Sequence, residues 1–172
     1  MSSWQFLDIH GYTSLVAFVF VLPLSIVVVS LGKRWELWPV AHIGLATTVV
    51  LLAIVSAAFA AVSRERHIDT VHGKVGTVLY ALLVLEALVG LFISLKWTPE
   101  RNKTPFRDKF HWWVGRLIPV ISFGICFQGF FIAAWGIWAY AISVVMWFIW
   151  VLIYGTLAYM KVTRWSSESP TL

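Results

Sequence analysis

The chain of 172 residues is 60% hydrophobic and 12% charged, and it carries a formal net charge of +5. An average soluble domain has about 25% charged residues, so this composition excludes a soluble domain and indicates an integral membrane protein. The cations lie in short connectors between apolar runs, a pattern that indicates a lipid partner and argues against nucleic acid. Cys126 is the single cysteine, which excludes an intrachain disulfide.

Five apolar runs are long enough to cross a bilayer, which takes about 20 residues of helix. They cover residues 9–31, 38–62, 70–95, 110–134 and 138–160. We therefore predict an all-α fold, an integral membrane bundle of five transmembrane helices. No basic segment precedes the first run, so we expect a retained span and not a removed signal peptide.

One domain is predicted over residues 1–172, with a four-helix core (9–134), one extra helix (138–160) and a polar tail (161–172). The break before the fifth helix is placed at residues 135–138, where Gly136 lies between two tryptophans. Such a segment suits a tight turn at the lipid interface, where indole rings prefer to lie. The alternative is one very long apolar helix.

The distribution of Lys and Arg predicts how the chain is threaded. We call the membrane side of the N-terminus side A and the opposite side side B. Arg64, Arg66 and Lys74 are the cations on side A, and the other ten of the 13 lie on side B. Because cytoplasmic loops carry the excess of Lys and Arg, we expect side B and the C-terminus in the cytoplasm. The N-terminus then faces the outside or a lumen.

Four of the five histidines enter four successive helices a few residues from a membrane face. Alternating threading puts His10 and His72 near side A, as a first pair, and His42 and His111 near side B, as a second pair. Two histidines at one depth supply two axial nitrogens to one haem iron, and polar side chains within a membrane are usually functional. The pattern predicts two b-type haems, with irons roughly 20 Å apart from the helical rise and the membrane thickness.

Glycines recur at the same two distances, four and eighteen residues, after the histidines of the third and fourth helices. They are Gly76 and Gly90 after His72, and Gly115 and Gly129 after His111. Both distances return to the histidine's own helix face. We expect the nearer glycine to make room for the helix's own haem and the later one for the haem at the other side. Glycine-mediated helix packing is the alternative.

Four short stretches, taken together in this order, resemble the cytochrome b561 superfamily, especially the membrane core attached to DOMON domains. They are His10-Gly11 with Pro23, Ala41-His42-Ile43, His72-Gly73-x-x-Gly76, and His111-Trp112-Trp113-Val114-Gly115-Arg116. The resemblance covers about residues 9–130. We expect the chain to be this type of core without the DOMON domain.

The resemblance implies a transmembrane oxidoreductase with two haem b groups. Such proteins take electrons from cytosolic ascorbate and pass them to monodehydroascorbate, a ferric chelate or a redox protein outside. The family's haem ligands match His10, His42, His72 and His111, with the pairing given above. The expected partners are therefore a small-molecule reductant and acceptor, and the sequence leaves a homodimer open.

This chain departs from the family's pattern at two places. Ascorbate-using members carry lysines just ahead of the second core histidine, where residues 38–41 here are apolar and the nearest cations are Lys33 and Arg34. Glu86 stands where members often have glutamine. It lies roughly 40° from the helix face of His72, so it should point into the bundle, either as a hydrogen-bonded side chain or as a proton site.

Cations and a histidine near the membrane faces are candidates for haem and substrate contacts. Arg116 follows His111 by five residues and is predicted to pair with a haem propionate or an anionic donor. A substrate role is predicted for Lys33, Arg34, Arg64, Arg66, His67 and Lys74. The alternative for each is a solvated loop residue or a cation that anchors a helix end.

Two other functions stay open at this level. A quinol/quinone-linked di-haem cytochrome b would keep the haems, with a lipid-facing pocket beside one of them and Glu86 as a proton acceptor. A haem-free tetraspan-like structural protein would need the histidines only for packing. A ferric-reductase core is disfavoured, because it places two histidines on each of two helices.

Overall fold

The computed structural model describes residues 3–32, 36–63, 69–96 and 104–168. Within these ranges the chain forms helices and turns and contains no strand. The helices are Ser3–Leu15, Leu22–Gly32, Trp38–Val62, Val71–Leu95, Phe106–Ile132 and Ile137–Glu168, with a π-helical turn at Val16–Val21. The first two helices and the π turn are continuous and form the first span, and the other four helices are the second to fifth spans. In the described ranges five helices are long and apolar enough to cross a membrane, so the protein is an all-α membrane bundle.

The observed helix ends differ from the predicted spans mainly at the membrane faces. The second span runs over Trp38–Val62, as predicted, and the third begins at Val71, one residue later than predicted. The first begins at Ser3, the fourth covers Phe106–Ile132, and the fifth continues through the predicted tail to Glu168. Apolar runs mark only the part of a helix that lipid surrounds, whereas the backbone ladder continues into the polar interface.

The first span contains a π-helical turn, Val16–Val21, shortly before Pro23. Pro23 has no N–H to donate, so the carbonyl of Val19, four residues earlier, lacks its usual helical partner. The indole Nε1 of Trp150 in the fifth span donates to this carbonyl at 2.8 Å, and the hydroxyl of Tyr154 donates to the carbonyl of Pro23 at 3.0 Å. Two side chains of the fifth span thus donate hydrogen bonds to backbone carbonyls of the first span at and before Pro23, and these bonds hold the two spans together.

Trp150→Phe removes the donor to Val19 and keeps most of the ring volume. We expect the bundle to lose about 1 kcal/mol of stability, the usual net contribution of such a bond. Thermal unfolding in detergent, followed by circular dichroism, measures the change. Trp147→Phe on the same helix is the control, because stacking on Phe123 survives it. Equal melting temperatures for the two variants would contradict this account of the attachment.

The first span is also the most deeply buried. Half of its most apolar stretch is buried within the bundle, against 6% for the fifth span. It packs mainly on the second span, and the third span packs mainly on the fourth. Buried residues from all five spans form one apolar cluster, among them Phe18, Val49, Leu83, Ile118 and Ala139. This arrangement encloses the inward faces of the first four spans, which carry the histidines.

The predicted break between the fourth and fifth spans is confirmed. Ala134 has a positive φ of 51°, and the N–H of Trp135 donates to the carbonyl of Phe130 at 2.9 Å. The Trp135 ring stacks on Phe130 at 5.3 Å and lies 4.7 Å from Tyr12 of the first span. A Cβ on Gly11 would lie 2.6 Å from this indole, so the glycine next to His10 lets the corner approach the first span.

Candidate haem sites

Four histidines meet in two pairs across the bundle. The ring centroids of His10 and His72 are 6.1 Å apart with the ring planes at 88°, and those of His42 and His111 are 6.2 Å apart at 76°. Each pair joins alternate spans, the first with the third and the second with the fourth. The structure therefore brings together the same couples that the threading of the sequence indicates.

The two distances fit a metal bound between the rings. A metal-bound imidazole nitrogen lies about 2 Å from the ion, so two rings on opposite sides of one iron have centroids about 6 Å apart. Rings in plain stacking contact lie 4.5–7 Å apart, so the distance alone does not decide the matter. The hydrogen bonds of the other ring nitrogens provide an independent test.

Two of the histidines hold their Nδ1 atoms against backbone carbonyls. Nδ1 of His10 is 3.0 Å from the carbonyl oxygen of Ser56 and 2.8 Å from its hydroxyl. Nδ1 of His42 lies 3.0 Å from both the carbonyl oxygen and the hydroxyl of Ser25. A carbonyl only accepts, so Nδ1 carries the hydrogen in both rings and Nε2 keeps its lone pair. Histidines that bind a metal are held in this way.

His111 has a carboxylate at the same ring position. Its Nδ1 lies 2.8 Å from Oε1 of Glu86 on the third span, which is hydrogen-bond distance. The angle at the ring N–H does not meet that of a hydrogen bond, so the two side chains are in close polar contact. Glu86 is 6% exposed. The prediction that this residue points into the bundle is confirmed, and its neighbour there is a histidine of the second pair.

The later glycines lie against the histidine of the neighbouring span. A Cβ on Gly90 would lie 2.9 Å from Cε1 of His111, and a Cβ on Gly129 would lie 3.0 Å from Cε1 of His72. Each of these glycines therefore faces the pair to which the histidine of its own helix does not belong, as the eighteen-residue spacing indicates. A Cβ on Gly115 would lie 3.2 Å from Oε1 of Glu86, whereas Gly76 faces open space.

The predicted cationic contacts are only partly described. The guanidinium of Arg116 lies 3.8 Å from the centre of the Trp112 ring and donates to the Trp112 carbonyl at 3.0 Å. This half-buried position near His111 is compatible with a propionate, and the role stays a prediction. Lys74 is exposed at the side A end of the third span. Residues outside the described ranges are Lys33, Arg34, Arg64, Arg66 and His67.

Sequence reasoning missed the partners of the histidines. Ser56 accepts the Nδ1–H of His10 and also lies within hydrogen-bond distance of Ser14, at 2.6 Å, and of Tyr80, at 2.8 Å. The signal was present as hydroxyl groups inside apolar runs, which have to find partners in lipid. Their contacts cross between spans, so one sequence gives no means of pairing them.

A bundle that crosses the membrane five times and holds histidines in facing pairs belongs to the class of integral membrane cytochromes. The family model for eukaryotic cytochrome b561 matches residues 9–136, which is most of the chain. The protein therefore belongs to the cytochrome b561 family, whose members bind haem b and act as transmembrane oxidoreductases. No curated protein and no solved structure matches it. Family membership favours the haem hypotheses over the haem-free structural protein.

Proposed function

We propose that this chain moves single electrons across a membrane through two haem b groups, one held by each histidine pair. The donor is a cytosolic reductant such as ascorbate. The acceptor on the opposite side is monodehydroascorbate, a ferric chelate or a redox protein. The observation that carries the proposal is the distance between the ring centroids in each histidine pair, 6.1 and 6.2 Å, with the two rings of a pair on alternate spans.

The chain's own residues have separate tasks in this proposal. His10 and His72 bind one iron and His42 and His111 bind the other. Bound haem supplies an iron that accepts and releases one electron. Nδ1 hydrogen bonds fix the ring orientations of His10 and His42, while Arg116 pairs with a propionate near the second pair.

The direction of transfer rests on charge. Side B carries the excess of Lys and Arg, which supports a cytoplasmic location for the second pair. Electrons then enter beside His42 and His111 and leave beside His10 and His72. The cations Lys33 and Arg34 at side B and Lys74 at side A suit anionic donors and acceptors.

A second candidate uses a quinol dissolved in the membrane as donor. It is favoured by a cavity of about 280 Å³ between the second and third spans. Among the described residues that line it, Tyr80 has the one polar side chain. Its hydroxyl lies 2.8 Å from that of Ser56, which contacts Nδ1 of His10.

A liposome assay distinguishes the two candidate donors. Purified protein with its haem is reconstituted in liposomes that trap ferricyanide. Ascorbate added outside loses one electron and becomes monodehydroascorbate, and each trapped ferricyanide gains one to become ferrocyanide. We expect the trapped oxidant to bleach with ascorbate as donor, and protein-free liposomes are the control. Bleaching with a short-chain ubiquinol and not with ascorbate would select the quinol candidate. A purified protein without haem would overturn both.

A further inference from the structure

Glu86 is the residue of the third span whose burial most needs an explanation. In the part of the chain that the structure describes, it is the one buried carboxylate within the bundle. A carboxylate in an apolar interior is costly unless a polar partner compensates it. The polar partner at hydrogen-bond distance is Nδ1 of His111, at 2.8 Å.

The fourth span leaves room for this carboxylate. Oε1 of Glu86 would lie 3.2 Å from a Cβ on Gly115, which is tighter than an ordinary contact. Gly115 is one helical turn after His111 on the same face. The absence of a side chain at this position thus lets the carboxylate reach the ring of the preceding turn.

The polar partner of His111 is a different chemical group from the partners of His10 and His42. His10 and His42 hold Nδ1 against neutral oxygens of Ser56 and Ser25, whereas His111 faces a carboxylate. A charged acceptor pulls the Nδ1 hydrogen more strongly than a neutral one. An ionised Glu86 would make the imidazole a more electron-rich ligand of a metal bound there, and it would place a negative charge near that metal.

We propose that Glu86 is an ionised positioning residue that orients His111 and lowers the reduction potential of the haem on the second pair. The inference rests on the proposed function, because it assumes that this pair holds a haem. A negative charge and a stronger ligand both favour the ferric over the ferrous state. The second pair is then the lower-potential site, so electrons that enter there pass downhill to the first pair.

Two substitutions separate the charge of Glu86 from its polar contact with His111. Glu86→Gln keeps an acceptor oxygen and removes the charge, while Glu86→Leu removes both at similar size. Potentiometric titration of the haem-loaded protein measures the two midpoint potentials, and His111→Ala identifies which of them belongs to the second pair. Ser122→Ala is the matched control, because Ser122 is also buried and its hydroxyl donates to the carbonyl of Pro119 on its own helix.

We expect Glu86→Gln to raise the reduced-to-oxidised ratio of the second-pair haem about tenfold at a fixed potential, or about 59 mV for one electron. Glu86→Leu should raise it further and should also move the low-spin ferric EPR signal of that haem. The potential of the first-pair haem and both potentials in Ser122→Ala should stay at their wild-type values. Loss of the second-pair haem in Glu86→Leu but not in Glu86→Gln would also support the positioning role.

The failures of the two proposals give different results. Wild-type protein that binds no haem overturns the proposed function before any variant is compared. Wild-type protein with two haems, whose potentials are unchanged in Glu86→Gln and Glu86→Leu, overturns the role of Glu86 alone. Equal shifts of both haems would also overturn it, because a contact with one ligand predicts an effect on one site.

Discussion

Replacing His111 by alanine is expected to lower the haem content from two to about one per chain. His42→Ala should give the same product, because either change leaves the second pair with one axial nitrogen. His10→Ala and His72→Ala should remove the other haem instead. Reduced-minus-oxidised spectra with haem quantification measure the content. The two single variants of the same pair should give the same spectrum, and variants of different pairs should give different spectra.

These substitutions should also stop electron transfer across the liposome. With one haem lost, the remaining one lies near a single face, and the other half of the membrane offers no site for the electron. Trapped ferricyanide should then bleach at the rate of protein-free liposomes. The spans should still insert, because each is a continuous apolar helix that satisfies its own backbone hydrogen bonds.

The fifth histidine provides the matched control for haem content. His67 follows the second span and belongs to neither pair, so His67→Ala should keep both haems. Size-exclusion chromatography shows whether each variant remains a folded, monodisperse protein in detergent. Two haems retained in folded His10→Ala would contradict the assignment of the first pair, whatever the activity.

The threading of the histidines could be predicted from the sequence because two simple properties decide it, the length of each span and the alternation of helix direction. Span length fixes how often the chain crosses the bilayer, and crossing reverses the direction of each helix. His10 and His72 therefore share one depth and His42 and His111 the other, and the ring distances agree. Neither property depends on how the side chains pack, so the sequence of a single chain is enough to predict the two pairs.

The contacts that hold the rings could not be predicted in the same way. Glu86 was visible as a carboxylate in an apolar run, and its angle to His72 placed it toward the bundle. Its contact with His111 depends on the rotation of the fourth span relative to the third, which helical periodicity leaves free. The serines opposite His10 and His42 depend likewise on how the first and second spans are rotated.

The observed helix ends also differ from the predicted span boundaries, and the difference has a physical reason. The apolar pattern predicts that the fourth span begins at Phe110, because the charged residues before it are typical of a connector. Instead, Pro105 caps a helix that begins at Phe106, and the charges lie on its first turn. A span in lipid is recognised by transfer energy, whereas a helix end is set by backbone bonding and capping, so the two boundaries need not coincide.

The later glycines predict a crossed effect that a purely local packing role does not. Gly90→Val should damage the haem of the second pair, although Gly90 shares its helix with His72. Gly129→Val should damage the haem of the first pair, although Gly129 shares its helix with His111. The reason is steric: even a Cβ would lie 2.9 Å from His111 in one case and 3.0 Å from His72 in the other.

Haem retention after purification and the two midpoint potentials measure this effect for each site separately. Affinity at the facing pair should fall on the order of 10- to 100-fold, the range seen when groups that hold a metal ligand are changed. Gly124→Val on the fourth span is the control, because a Cβ there meets nothing within 4 Å. If each valine instead disturbed the pair nearest to it in sequence, the glycines would act through their own helices, and the arrangement in which each helix passes both haems would be wrong.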